Sequence, residues 1–250
     1  MSETSNRPIA FITGGNRGIG FETARQLGQA GIIPVIGARS AAGEAAAAQL
    51  RSEGIEAHAL LFDATEPGDH RKAYELFDSL AGRLDILVNN AGVFLEGEPG
   101  VVGLYSAADV PEDVLRRTME ANFLAPVLLT QALLPLLHKA SAGRIVNLSS
   151  ILGSLTLHRD PASPIHTSQS VAYNTSKTAL NAYTVHLAKA LAGTRVKVNA
   201  AHPGWVQTSM GGSAAPMSVA DGARTSVQLA MLPDDGPNGG FFHLGEPLPW

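Results

Sequence analysis

A tyrosine and a lysine four positions apart, Tyr173 and Lys177, could carry proton-transfer chemistry. Residues with this spacing on a helix share one face, one turn from each other. Because an ammonium stabilises a nearby phenolate, we expect Lys177 to lower the pKa of Tyr173 towards neutral. Such a tyrosine can give or take a proton while a carbonyl is reduced or an alcohol oxidised. The pair recurs by chance on helices, so the rest of the chain must decide whether it is catalytic.

Two serines precede the tyrosine along the chain. Ser149 and Ser150 end an apolar run at 143–148, which predicts a buried strand. A hydroxyl at the end of that strand, near the tyrosine, would hold the oxygen of a carbonyl substrate.

A glycine-rich turn follows the first predicted strand, at 8–12. A helical pattern begins after the turn, and strand, glycine turn and helix together place backbone N–H groups against a pyrophosphate. The spacing is Gly-x-x-x-Gly-x-Gly, not the general Gly-x-Gly-x-x-Gly, so an ordinary βα turn is the alternative. Its place in the chain favours dinucleotide binding by the residues Gly14, Asn16, Arg17, Gly18, Ile19 and Gly20.

The end of the second predicted strand, at 32–39, bears on the choice of dinucleotide. An acidic residue there would bind the ribose hydroxyls of NAD. The strand ends in Ala38-Arg39-Ser40 instead, and Arg17 in the glycine turn adds a second cation. Two cations without an acid favour the 2′-phosphate of NADP, and the alternative is that both arginines are solvated surface residues.

Strands and helices alternate along the whole chain. Further strands are predicted at 57–62, 84–88, 196–201 and 239–244, and helices at 41–53, 66–81, 112–138, 171–191 and 218–232. Pro34 is expected at the first residue of its strand, and Pro126 and Pro135 are expected to bend or interrupt the helix at 112–138. The alternation predicts right-handed βαβ units and a parallel sheet.

Two loops are singled out by their small residues. The segment 93–110 contains Gly97, Pro99, Gly100 and Gly103, and we expect it to be a loop over the sheet edge. The segment 209–217 is small and flexible, which makes it a candidate substrate lid.

Composition limits the class of protein. Of 250 residues 45% are hydrophobic and 16% charged, which suits a globular core, and the net charge of −4 argues against nucleic-acid binding. The chain has no cysteine, hence no disulfide and no cysteine metal site. We expect a soluble cytoplasmic protein for two reasons. The polar segment 1–7 lacks the apolar core of a signal peptide. We also expect that no apolar run is long enough to cross a bilayer.

At this point the motifs resemble those of the short-chain dehydrogenase/reductase family over the whole chain, most of all its NADPH-dependent carbonyl reductase branch. The matching segments are Thr13 to Gly20, Asp63, Asn89 to Gly92, Asn122, Ser149-Ser150, Tyr173 with Lys177, and Pro203 to Thr208. Each is common alone, and it is their order and position that is specific.

The resemblance implies a role for each residue. Tyr173 would be the general acid in reduction, Lys177 would hold the nicotinamide ribose and lower the tyrosine pKa, and Ser150 rather than Ser149 would bind the carbonyl oxygen. Asn122 would shape a local helix break and join a proton relay through water to Lys177. The cofactor would further contact the residues Asp63 and Ala64 at the adenine, Asn90, Ala91 and Gly92 at the adenine ribose, and Val206 and Thr208, after Pro203-Gly204, at the carboxamide.

The chain departs from the family pattern between Ser150 and Tyr173, which lie 23 positions apart. This gap is longer than usual, and the insert at 151–169 either lines the substrate pocket, alters oligomer contacts or is a surface loop. Two histidines within it, His158 and His166, lack the partners a metal site needs, so no metal is expected. His202 is interpreted as structural.

We therefore predict a single-domain, doubly wound Rossmann fold over 1–250, with a seven-stranded parallel sheet flanked by helices. The predicted activity is NADPH-dependent reduction of a ketone or aldehyde. Two alternatives stay open: a reductase dedicated to one ketoacyl or sugar intermediate, and a non-catalytic NADP-sensing or scaffold protein. A small-molecule carbonyl or alcohol is the expected partner, without nucleic acid or membrane, and the family implies a homodimer or homotetramer, with a monomer possible.

Overall fold

One twisted sheet organises the protein, which was examined as a computed structural model that describes residues 7–97 and 105–250. The strands are β1 Ile9–Thr13, β2 Ile33–Ala38, β3 His58–Leu61, β4 Ile86–Asn89, β5 Arg144–Leu148, β6 Lys197–Ala201, β7 Phe241–His243 and β8 Glu246–Pro247. Their order across the sheet is β3-β2-β1-β4-β5-β6-β7-β8. The chain runs outward from β1 to β3 and then crosses back to β4, so the order reverses between β1 and β4.

Helices cover both faces of the sheet. They are α1 Gly18–Gln29, α2 Ala42–Ser52, α3 Pro67–Ala81, α4 Glu112–Met119, α5 Ala125–Leu137, α6 Leu155–Arg159, α7 Val171–Ala190 and α8 Val219–Ala230. Successive residues of β1 point to opposite faces. Phe11 packs with Phe77 of α3 in one core, while Ile12 belongs to a second core with Leu27 of α1. The predicted doubly wound Rossmann fold is confirmed.

The predicted number of seven strands is wrong, because the described sheet has eight. Seven strands are parallel, and β8 pairs with β7 in the antiparallel direction. The two-residue turn between them has positive φ at both positions, 49° at Leu244 and 91° at Gly245. Such a turn matches the twist of a hairpin. The sequence did not suggest β8 because Glu246–Pro247 is too short and polar to show a strand pattern.

The helix predicted at 112–138 is interrupted, as expected, near Pro126. A π-helical turn, Glu120–Leu124, separates α4 from α5. Pro126 has no N–H for the carbonyl of Asn122, four residues earlier, and this explains why regular α-helical bonding fails there. Pro135 does not interrupt the helix, since α5 continues through it to Leu137.

The expectation that no apolar run is long enough to cross a bilayer is wrong for this interrupted helix. By length and composition alone Glu112–Leu137 could cross a membrane, with a mean hydropathy of 1.4 in its most apolar window. Its residues Leu129, Leu133 and Leu136 are fully buried in the core against the sheet. Burial of this kind is typical of a core helix of a globular protein.

The loops differ in how much of them is described. Pro99, Gly100 and Gly103 of the segment 93–110 lie outside the described residues.

Pro34 is the second residue of β2, not the first, and pairing with β3 begins only at the next residue. The insert at 151–169 contains a 3-10 turn, Ile151–Gly153, and α6.

Candidate active site

A cleft opens at the carboxyl ends of β1 and β4, where the strand order reverses. Crevices at this position bind ligands in doubly wound sheets. The residues that line it are Gly14, Asn16, Arg17, Gly18, Ile19, Gly20, Gly37, Ala38, Arg39, Phe62, Asp63, Ala64, Thr65, Asn90, Ala91, Gly92, Val93, Ala121, Leu148, Thr208, Ser209 and Met210. Most of the predicted cofactor residues therefore come together in one place.

The glycine turn after β1 is held against the loop after β4. Asn90 donates its Nδ2 to the carbonyl oxygens of Thr13 at 2.8 Å and Gly14 at 3.2 Å. A Cβ on Gly20 would lie 2.4 Å from that Nδ2 and 2.6 Å from the oxygen of Gly14, so only glycine fits there. No side chain caps α1 and no acidic residue occupies its first turn. The helix N-terminus therefore suits a phosphate.

Arg17, in that turn, and Arg39, directly after β2, line the same cleft. Both side chains are exposed, and within the described part of the chain neither makes a hydrogen bond or an ion pair. Asp63, which also lines the cleft, instead accepts hydrogen bonds from the backbone N and the Oγ1 of Thr65. The two guanidinium groups are free for an anionic ligand.

Tyr173 lies in the first turn of α7, close to Ser150 at the end of β5. The Ser150 hydroxyl lies near enough to the phenol to act on its pKa. Ser149 points elsewhere, since its Oγ donates to Oδ1 of Asn181 at 2.6 Å. Ser150 is thus the serine positioned to share a carbonyl oxygen with the tyrosine, in keeping with the role predicted for it.

The expected fall in the tyrosine pKa is wrong for this structure. Burial disfavours the phenolate and raises the pKa of Tyr173 from 10.0 to about 12, although the nearby Ser150 hydroxyl offsets part of the rise. The Nζ of Lys177 lies 5.6 Å from the centre of the phenol ring. The phenol accordingly keeps its proton at neutral pH and is available as an acid.

Lys177 sits one turn further along α7 and is buried. Its Nζ donates to the carbonyl oxygen of Leu148 at 2.7 Å. Burial also lowers the pKa of this lysine from 10.5 to about 8, so the side chain is a cation at neutral pH. The Leu148 carbonyl and the nearby Gly92 both line the cleft, which brings the ammonium to the cleft wall.

Asn122 lies in the π-helical turn and is buried. Its Oδ1 accepts from the N–H of Val93 at 2.7 Å, and its Nδ2 donates to the carbonyl of Val93 at 2.9 Å and to Oγ of Ser176 at 3.1 Å. Ser176 in turn donates to the carbonyl of Tyr173 at 2.7 Å. Asn122 thus links the loop after β4 to the tyrosine backbone, whereas its predicted relay to Lys177 stays a prediction.

The segment after β6 lines the cleft only in part. Thr208 lines the cleft, and a Cβ on Gly18 would lie 3.5 Å from its Cγ2. The side chain of Val206 is buried instead, so close to α8 that a Cβ on Gly222 would lie 2.6 Å from it. Pro203, Gly204 and Val206 do not line the cleft, and their predicted cofactor contacts stay predictions.

His202 holds the backbone beside the candidate catalytic serine. Its Nδ1 accepts from the N–H of Ile151 at 3.2 Å and from the N–H of Gly204 at 3.4 Å. Burial, and secondarily the neighbouring His243, lower the pKa of His202 from 6.5 to about 3. An Nδ1 that accepts two hydrogen bonds must be unprotonated, in agreement with this direction.

We expect His202 to make the protein less stable in acid. Between pH 6.5 and about 3 the unfolded chain binds a proton at this residue and the folded chain does not, so stability falls as pH falls through that window. The loss attributable to one histidine is at most about 1.4 kcal/mol per pH unit. Urea unfolding of the wild type and of His202→Asn between pH 7.5 and 4.5 measures it. The two free energies should converge as the pH falls.

A matched control removes a histidine that is exposed on α7. His186→Asn should leave the pH dependence of unfolding unchanged. Parallel curves for the wild type and His202→Asn below pH 6.5 would contradict the assignment of a neutral, buried His202.

Several residues of the site were missed from the sequence. Val93 and Leu148 line the cleft and adjoin predicted residues in the chain, so proximity could have suggested them. Phe94 is another, since its ring meets that of Tyr173 edge-on, with centroids 5.4 Å apart. In the described residues no group of three His, Asp or Glu side chains forms a metal site. His158 and His166 bond to backbone carbonyls within the insert.

Comparison with known proteins places these observations in a family. The family model described as short chain dehydrogenase matches residues 8–218. The (-)-isopiperitenone reductase of Mentha piperita is 32% identical, with 93% of this chain and 95% of that protein covered. Carbonyl reductase [NADPH] 1 of Mus musculus is 29% identical, with 99% and 100% covered.

A solved structure extends the likeness to three dimensions. NADPH-bound carbonyl reductase from chicken fatty liver superposes with a TM-score of 0.83 at 25% identity, covering 98% of this chain and 100% of that one. The sequence comparison and the structural comparison both agree with the family that the motifs and the cleft indicate. The chain belongs to the short chain dehydrogenase family and is an oxidoreductase of the carbonyl reductase type.

Proposed function

We propose that this protein uses NADPH to reduce a ketone or an aldehyde to an alcohol, with Tyr173 as the proton donor. The observation that carries the proposal is the phenol of Tyr173, which is protonated at neutral pH and lies beside Ser150 and the ammonium of Lys177. Arg17 and Arg39 line the cleft that Leu148 and Gly92 also line, and neither arginine side chain has a partner among the described residues. Relatives named carbonyl reductase [NADPH] and a solved NADPH-bound structure support the choice of cofactor.

The described residues fit the proposed cofactor. Arg17 and Arg39 would hold the 2′-phosphate, and the glycine turn with the N-terminus of α1 would receive the pyrophosphate. Asp63 and Ala64 would meet the adenine, the segment 90–92 the adenine ribose, and Thr208 with the backbone of Val206 the carboxamide. Bound NADPH would supply a hydride.

The chain itself would manage the charge and the proton. Ser150 and Tyr173 would donate hydrogen bonds to the substrate carbonyl oxygen, and these bonds strengthen as negative charge develops there. Tyr173 would then release its proton to that oxygen. Lys177, a cation at neutral pH beside the phenol, would favour the phenolate that remains and hold the nicotinamide ribose.

Two rival functions make different predictions. A reductase dedicated to one ketoacyl or sugar intermediate would have the same catalytic residues, so only its substrates would distinguish it. A non-catalytic NADP-binding protein would not need Ser150, Tyr173, Lys177 and Asn122 to be assembled at one site. Their assembly favours an enzyme.

The test is an NADPH-oxidation screen against a panel of aldehydes, ketones and quinones. We expect turnover with several of them, and at least about tenfold better with NADPH than with NADH, because only NADPH carries the 2′-phosphate that the two arginines would bind. Activity confined to one ketoacyl or sugar substrate would support the dedicated reductase. No oxidation with any member would overturn the proposal.

The loops are proposed to shape the substrate pocket. Ser209 and Met210 of the segment 209–217 line the cleft, which supports a lid there. The insert at 151–169 begins against the catalytic helix, since a Cβ on Gly153 would lie 2.8 Å from the backbone of Lys177. A cytoplasmic location and a homo-oligomeric state stay predictions.

A further inference from the structure

The N-terminus of α7, which carries the candidate proton donor, is capped in an unusual way. The backbone N–H of the second or third residue of a helix normally donates a hydrogen bond to the side chain of the N-cap residue. Ser170 holds the N-cap position, yet its side chain makes no such bond and its buried Oγ has no partner among the described residues. The bonds must come from elsewhere.

Glu96 supplies them from the loop after β4, 76 positions earlier in the chain. Its Oε1 accepts from the N–H of Ala172 at 2.9 Å, and its Oε2 accepts from the N–H of Tyr173 at 2.7 Å. The side chain is fully buried. A buried carboxylate is costly unless it is bonded and compensated, and within the described residues no cation pairs with it. The helix N-terminus provides the compensation.

The same short loop contacts Tyr173 a second time. Phe94 packs edge-on against the phenol ring, and Val93 is held at both its N–H and its carbonyl by Asn122. The residues 93–96 therefore fix the backbone and the ring of Tyr173 together, while their other end, at Val93, borders the cofactor cleft.

We propose that Glu96 is a positioning residue which, through its two bonds to the N–H groups of Ala172 and Tyr173, fixes the catalytic tyrosine relative to the cleft. This inference rests on the proposed function for its effect on turnover. The effect of Glu96 on Tyr173 itself is independent of the proposed function, because both bonds join groups of the chain itself.

The central variant is Glu96→Gln, which keeps the volume but replaces one acceptor by a donor that faces an N–H group. We expect kcat to fall by about tenfold or more, because small misplacements of a reacting group are costly, while the Kd for NADPH stays within about twofold. Glu75→Gln, at an exposed position on α3, is the matched control and should change neither quantity.

A second readout needs no turnover. The chain has four tyrosines, so carbon-13 labelling of the phenol carbon with Tyr173→Phe as the assignment gives the titration of Tyr173 by NMR. In Glu96→Gln we expect the pKa of Tyr173 to move from about 12 towards 10 as water reaches the loosened phenol. If the wild type reduces no carbonyl, the proposed function fails, but this titration still decides the role of Glu96.

One result would overturn the inference. A Glu96→Gln protein with a lower melting temperature but an unchanged kcat and an unchanged Tyr173 titration would make Glu96 a helix cap for stability alone. If Glu96→Gln does not fold, Glu96→Asp, which keeps the charge on a shorter side chain, is measured in the same way and judged by the same two readouts.

Discussion

Replacement of Tyr173 by phenylalanine is expected to reduce turnover by about 1,000-fold while NADPH binding remains nearly intact, since a positioned general acid typically contributes between 100-fold and 10,000-fold. The change removes one oxygen and keeps the ring that packs against Phe94. It leaves Arg17, Arg39 and the glycine turn, the proposed cofactor contacts, untouched. Steady-state NADPH oxidation gives the loss of kcat, and NADPH fluorescence titration gives the Kd.

The same helix offers a matched control for this variant. Tyr183 lies on α7 ten positions further on, is also partly buried, and has its pKa raised to about 12 by burial. It packs against the core, with its hydroxyl near Thr130 rather than near Ser150. Tyr183→Phe should therefore retain wild-type turnover. Full activity in Tyr173→Phe, or an equal loss in both variants, would contradict the assignment of Tyr173 as the proton donor.

The parts of the site that the sequence predicted share one property: each depends on residues close together in the chain. The spacing of Tyr173 and Lys177 places them one turn apart wherever the helix packs. The glycine turn works through backbone geometry, so its function follows from glycine itself. Pro126 predicts a helix interruption because its missing N–H affects a carbonyl four residues earlier.

The missed features depend on contacts between distant segments. Glu96 is an ordinary charged residue in a loop until the fold brings it to α7, 76 positions away. The pKa of Tyr173 was predicted in the wrong direction because spacing gives the distance to Lys177 but not the burial of the phenol, and burial is the larger effect here. Strand β8 was missed for the same reason, since its pairing depends on β7 and the turn.

Replacement of both Arg17 and Arg39 by alanine is expected to weaken NADPH binding by about 100-fold, because hydrogen bonds between guanidinium groups and phosphate are among the strongest in proteins. Both side chains are exposed and unpaired within the described residues, so their removal breaks no contact that holds the fold. NADH lacks the 2′-phosphate, and its affinity should change little. The ratio of the two Kd values, measured by fluorescence titration, therefore reports the phosphate contact directly.

This experiment must separate the effect of removing two positive charges from the effect of removing two direct contacts with the phosphate. Arg71→Ala with Arg117→Ala removes the same two charges from exposed positions outside the cleft, and this variant should bind NADPH nearly as the wild type does. Because bonds to an exposed phosphate are screened by salt, the difference between the two double variants should shrink as ionic strength rises. If Arg17→Ala with Arg39→Ala weakened NADH and NADPH equally, the arginines would act on the part common to both dinucleotides. The preference for NADPH would then need another source.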